Sequence, residues 1–215
     1  MAQNKKMPAI QIASCLLLVS GFAALIYQTV WMTSFRLIFG ASTPATGAVL
    51  AIFMGGLGLG GWYWGRRLTE HSQPLKIYGL LEIAIACSAA LSPFLLEGVQ
   101  WAYVDFGGSE AFGPYAGMVI RLGLATLVMG LPVFCMGGTL PAMALFVTQS
   151  DDAQRQGLAT IYGVNTIGSV LGALGGTFFL FEKLALQNTL WLSAILNGCI
   201  ALVAWRISMT QESVD

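Results

Sequence analysis

The chain alternates long apolar runs with short polar breaks. Six windows are almost free of charge: Ile10 to Trp31, Pro44 to Gly65, Ile77 to Glu97, Val119 to Val147, Leu158 to Phe181 and Thr189 to Ile207. A helix needs about 17 to 25 mostly apolar residues to cross a bilayer, so each window predicts one transmembrane helix. The expected fold class is an all-α membrane protein. It comprises a cytoplasmic N-terminal tail over 1–9, a six-helix transmembrane domain over 10–207 and a cytoplasmic C-terminal tail over 208–215. The longest gap, Gly98 to Met118, is too short to fold a soluble domain.

The fourth window is longer than a plain span and contains Pro132, Gly137, Gly138 and Pro141. Proline removes a backbone donor and crowds the preceding turn, so a kink or break is expected there. It reads either as accommodation of tilt or as a discontinuous helix lining a cavity, as in carriers.

Composition agrees with this pattern. Of 215 residues, 56% are hydrophobic and 9% charged, far below the roughly 25% charged residues of soluble domains. Ten basic and ten acidic residues cancel, with one histidine, which leaves no basic footprint for nucleic acid. The basic residues also set orientation, because those in short loops stay cytoplasmic. With the N-terminus inside, Lys5, Lys6, Arg66, Arg67, Lys76, Arg155 and Arg206 are cytoplasmic and only Arg36, Arg121 and Lys183 lie outside. The expected location is a cytoplasmic membrane, as in the bacterial inner membrane, with the lipid bilayer as first partner.

Cys15, Cys87, Cys135 and Cys199 fall in different apolar runs without metal or disulfide spacing, and no metal site is expected. Gly56 to Gly61 satisfies GxGxxG, but inside an apolar span it lacks the strand-to-helix setting that gives the motif meaning. Glycines at four-residue spacing, Gly56 with Gly60 and Gly168 with Gly172 and Gly176, predict flat packing faces on the second and fifth helices. On that reading leucine at Gly172 disrupts packing and alanine is mild.

Polar residues inside the windows are the candidate chemistry. Glu82 is the one acid more than a turn inside a window, and a charge in lipid costs about 2.5 to 3.5 kcal/mol on insertion scales. Counted from Ile77 it is shallow, so it reads either as pairing with Arg66 or Arg67 or as a proton or cation site. Gln28, Tyr27 and Asn165 complete the candidate polar set, with Arg36 and Arg121 at the outer ends of spans.

Ser20 to Gln28 with Trp31, Phe39-Gly40-Ala41-Ser42, Phe53 to Gly60, Gly65-Arg66-Arg67, Leu81-Glu82, Met136 to Pro141 and Tyr162 to Gly168, taken in order, resemble the membrane region of spermidine-synthase-like integral membrane proteins, the major-facilitator/spermidine-synthase fusions. The resemblance spans about Ser20 to Ala204 and implies a transporter-like bundle resembling half of a major-facilitator carrier. Such a bundle precedes a cytosolic aminopropyltransferase-like domain using decarboxylated S-adenosylmethionine. Nothing in the 215 residues supplies that domain, so no catalysis and no cofactor are expected of this chain. Gln28 stands where the resemblance implies glutamate. The function expected is a non-catalytic membrane domain or subunit that anchors, and can feed, such a transferase. The alternatives are a half-transporter for a small, polyamine-like cation acting as a homo-oligomer, or an accessory subunit of a larger membrane complex.

Overall fold

The computed structural model describes residues 6–40, 43–69, 73–105, 107–149 and 154–212, so the outer parts of both expected tails, 1–5 and 213–215, lie outside the described residues. The described residues are almost wholly helical: α1 (Lys6–Phe39), α2 (Thr43–Arg67), α3 (Pro74–Asp105), α4 (Gly108–Thr148), α5 (Gln154–Gly175), one π-helical turn (Gly176–Leu180) and α6 (Phe181–Glu212). Five helical stretches are long and apolar enough to cross a membrane. The last, Gln156–Thr210, has 55 residues. Straight, it would extend about 80 Å, far beyond a hydrocarbon core of about 30 Å. It is interrupted at Ala185, where φ 60 and ψ 169 leave the helical region.

Contacts between helices fix their directions. Tyr78 reaches the Leu16 carbonyl, Ser20 meets Glu82 and Trp31 meets Ser92, so α1 and α3 run the same way. Glu82 meets Asn197 while Ala90 meets Trp191, so α6 runs against α3. Arg121 meets Tyr103 while Gly138 lies against Leu81, so α4 also opposes α3. Gly168 and Gly172 follow Leu18 and Phe22, and Gly56 and Gly60 follow Val133 and Phe134. Hence α5 runs with α1 and α2 with α4. Odd-numbered helices point one way and even-numbered helices the other, and Ala185 is where the chain reverses between the last two.

The closest seams are glycine seams. A Cβ added at Gly168 or Gly172 would lie 2.1 Å from the carbonyl oxygen of Leu18 or Phe22, and one at Gly60 would lie 2.0 Å from that of Phe134. These are backbone atoms, which cannot swing aside. Gly56 meets Val133 and Gly176 meets Ile26. Backbone approach of this kind drives helix association in lipid, where apolar burial offers little.

Helical dihedrals continue through Pro132, Gly137, Gly138 and Pro141, and the non-helical residue within α4 is Gly113, with φ 67. Of the kink or break expected near the prolines, a break in the helical dihedrals is absent. Gly137 instead lies against Leu57, Gly60 and Gly61 of α2, and Gly138 against the indole of Trp64, so this glycine pair serves helix approach. A proline inside α3, Pro93, deprives the Ala89 carbonyl of its usual partner. The Ser92 hydroxyl donates to that carbonyl at 2.7 Å and accepts from the Trp31 indole at 2.9 Å, which meets the requirement that freed groups in lipid find partners.

The buried apolar side chains form two clusters. One holds Tyr27, Trp31, Phe35, Phe53, Ile85, Met129 and Val133; the other holds Leu17, Tyr78, Met143, Ile161, Ile200 and Ala204. Along α1 the second cluster ends at Leu17 and the first begins at Ala23; along α4 the division falls between Met136 and Ala142. The residues in the gap define the site.

A polar layer around a buried carboxylate

Ser20 on α1, Glu82 on α3, Thr139 on α4 and Asn197 on α6 are buried at the level between the two apolar clusters. Glu82 is 0% exposed. Its carboxylate accepts from the Ser20 hydroxyl at 2.6 Å and from the Asn197 amide at 2.8 Å. The Tyr78 phenol, one turn before Glu82, neighbours the same carboxylate and bonds the Leu16 carbonyl at 3.2 Å. Thr139 returns its hydroxyl to the Met136 carbonyl of its own helix.

The pairing of Glu82 with Arg66 or Arg67 does not form. Among the described residues the backbones of α2 and α3 do not come together, because α4 packs against both. Both arginines are exposed and lie over aromatic rings of their own helix, Arg66 over Trp62 at 4.8 Å and Arg67 over Tyr63 at 5.1 Å. Glu82 is also deeper than counting from Ile77 suggests. The helix begins at Pro74, and Ser20 and Asn197 stand close to the middle of the apolar windows of α1 and α6. Counting along one helix measures depth on that helix only; contacts with its neighbours fix the true level.

Tyr27 is buried two turns beyond Ser20, its ring stacked on Trp31 at 5.5 Å, and its hydroxyl bonds nothing. The Asn197 amide oxygen is likewise buried and without a partner. Seven residues, two helical turns, separate Tyr27 from Ser20, so the two side chains leave the same face of α1. Asn165 is half-buried at the same level but faces Gly21 on the α1–α5 seam, and its backbone carbonyl accepts from Ser169. Gln28 is half-buried and bonds none of these groups. Arg36 is exposed at the end of α1. Arg121 is bound to the Tyr103 hydroxyl at 2.9 Å.

Thus the structure buries Glu82, places Tyr27 on the face of α1 that carries Ser20, and leaves Gln28, Asn165 and the four arginines without a bond to the carboxylate. It adds Ser20, Tyr78 and Asn197. Asn197 carried a sequence signal, an amide within an apolar window; Ser20 and Tyr78 carried none, since serine and tyrosine are common in such windows.

A carboxylate enclosed this fully and met only by neutral donors has unusual chemistry. Among the described residues no lysine or arginine pairs with it. Its charge must be balanced by a proton or by a bound cation, since an isolated buried charge is costly. No known protein family, curated protein or solved structure matches the chain.

Proposed function

We propose that the chain is a six-span, transporter-like module of an integral membrane protein, both termini cytoplasmic, that works around Glu82 on a small cationic solute. The observation that carries this reading is the Glu82 carboxylate, fully buried in a polar layer midway along the bundle with neutral partners only. Removing a carboxylate from water is a standing cost in stability, and apolar residues would fill the same volume more favourably. A group with that cost and no structural counter-charge is suited to binding what crosses. Alternating helix directions and the reversal at Ala185 support six crossings, and the distribution of basic residues supports the orientation.

The anchoring reading, in which the module docks a cytosolic aminopropyltransferase-like partner, rests on the sequence resemblance. The exposed, aromatic-backed Arg66 and Arg67 at the end of α2 favour it as a partner surface. It assigns no role to Glu82, so it stands second.

Vesicles containing the purified chain test the first reading. Uptake of labelled putrescine, sodium and methylammonium is measured for the unaltered protein, Glu82→Gln and the exposed control Glu97→Gln. Flux of at least one of these should be lost in Glu82→Gln and kept in Glu97→Gln. Identical flux of all three with Glu82→Gln sinks the carrier reading. Cysteines placed at Gln73 and Asp105, in a background lacking native cysteines, report orientation: only the second should react with an impermeant reagent in intact cells.

A further inference from the structure

Two buried polar atoms have no hydrogen-bond partner: the Asn197 amide oxygen, on the side chain that donates to Glu82, and the Tyr27 hydroxyl, two turns beyond Ser20 on the same face of α1. We infer that, together with the Glu82 carboxylate, they form a binding site for one compact monovalent cation, an alkali ion or an ammonium group. This deepens the proposed function and rests on it.

The chemistry of the atoms defines the ligand. An amide oxygen only accepts, and a carboxylate met by two donors also presents acceptors. Leaving such an atom buried and unpaired costs about 1 to 3 kcal/mol, a cost that a bound donor or cation would offset. The occupant must therefore donate hydrogen bonds or carry positive charge. Charge balance sets the valence: one carboxylate, with no lysine or arginine paired to it among the described residues, is neutralised by a single positive charge, and the unpartnered Asn197 oxygen calls for an occupant that a proton on the carboxylate does not supply. A divalent ion is disfavoured, because it would leave net charge in a low-dielectric layer, and the ligands it usually takes include several carboxylates. An extended diamine is disfavoured as well. Its second ammonium would fall in one of the apolar clusters that bound the layer on either side.

The arrangement also separates binding from architecture. Ser20 and the Asn197 Nδ2 hold the carboxylate in place, whereas the Tyr27 hydroxyl holds nothing. Phenylalanine at position 27 therefore removes a ligand without removing a bond of the fold. Asn197→Leu keeps the volume similar but removes both the free amide oxygen and the Nδ2 bond to Glu82, so Tyr27→Phe is the cleaner of the two variants.

Trp31, stacked on Tyr27, lies close enough to serve as a fluorescent reporter. The experiment is thermal unfolding of the purified full chain in detergent, followed by tryptophan fluorescence, during titration with sodium, ammonium or putrescine chloride against choline chloride at constant ionic strength. Variants are admitted when they elute as a single species and unfold cooperatively in choline. The expected result is a saturable rise in melting temperature with sodium or with ammonium, whichever the layer accepts. The apparent affinity should fall about tenfold in Tyr27→Phe and in Asn197→Leu, and the response should vanish in Glu82→Gln. A response in the unaltered protein to putrescine alone, or to none of the salts, overturns the inference. So does a response that Tyr27→Phe and Asn197→Leu leave unchanged. In these cases the carrier reading still stands if flux requires Glu82. Loss of the Glu82 requirement in both binding and flux overturns both.

Discussion

The indole of Trp31 donates to the hydroxyl of Ser92 at 2.9 Å, and that hydroxyl in turn donates to the Ala89 carbonyl left free by Pro93. One serine thus repairs a proline defect in α3 and fastens α3 to α1. Replacing Ser92 by alanine should destabilise the protein by about 1 to 3 kcal/mol for each group left unpaired, read as a fall in melting temperature. Adding Pro93→Ala restores an N–H for the Ala89 carbonyl and should recover part of the loss. A double variant no more stable than Ser92→Ala alone would show that the carbonyl was not the strained group.

Ser20 provides a second test of the α1–α3 contact. Its hydroxyl meets a carboxylate, and hydrogen bonds to charged groups contribute about 1.5 to 3 kcal/mol. Ser20→Ala should therefore lower thermal stability clearly. Ser14, also on α1, has a buried hydroxyl with no partner, so Ser14→Ala should be neutral or slightly stabilising. Equal effects of the two substitutions would contradict the bond between Ser20 and Glu82.

At Gly172 the structure revises the expectation that alanine is mild. Its Cβ would lie 2.1 Å from the Phe22 carbonyl oxygen, so α1 and α5 must separate to admit even a methyl group. Gly172→Ala should cost about 1 to 3 kcal/mol, as overpacking does. Gly163→Ala, on the same helix with open space around it, should be tolerated and can add up to about 1 kcal/mol of helix preference. The ranking is read from melting temperatures in detergent.

Ala185 holds φ 60 and ψ 169, a region that residues with a Cβ occupy at a cost of about 1 to 3 kcal/mol. Ala185→Gly should raise the melting temperature, and Ala185→Val should lower it. A fall with glycine would mean that the chain reversal is made elsewhere.

Much of the architecture was legible because lipid enforces it. Apolar runs such as Ile10 to Trp31 must be helical to satisfy their backbone groups, and four-residue glycine spacing marks faces where backbones can meet. The boundary near Ala185 was placed by the polar break between Phe181 and Thr189, although helical hydrogen bonding continues close to it. Glu82 was legible as a costly residue, but its partners were not. Ser20 and Asn197 lie 62 and 115 positions away, and only the helix packing brings them to one level. The same packing sets α4 between α2 and α3, which removes Arg66 and Arg67 from reach.

Among the described helices, α1 touches every other. Chain order therefore bears on assembly. When α3 leaves the ribosome carrying Glu82, α1 has already been made, and its Ser20 can meet the carboxylate as soon as the two helices pair. Asn197 arrives only with α6, so its hydrogen bond to the carboxylate forms after the other described helices have been made. Closure of the polar layer is thus tied to the arrival of α6, and a chain truncated before α6 leaves the Glu82 carboxylate without its Asn197 donor.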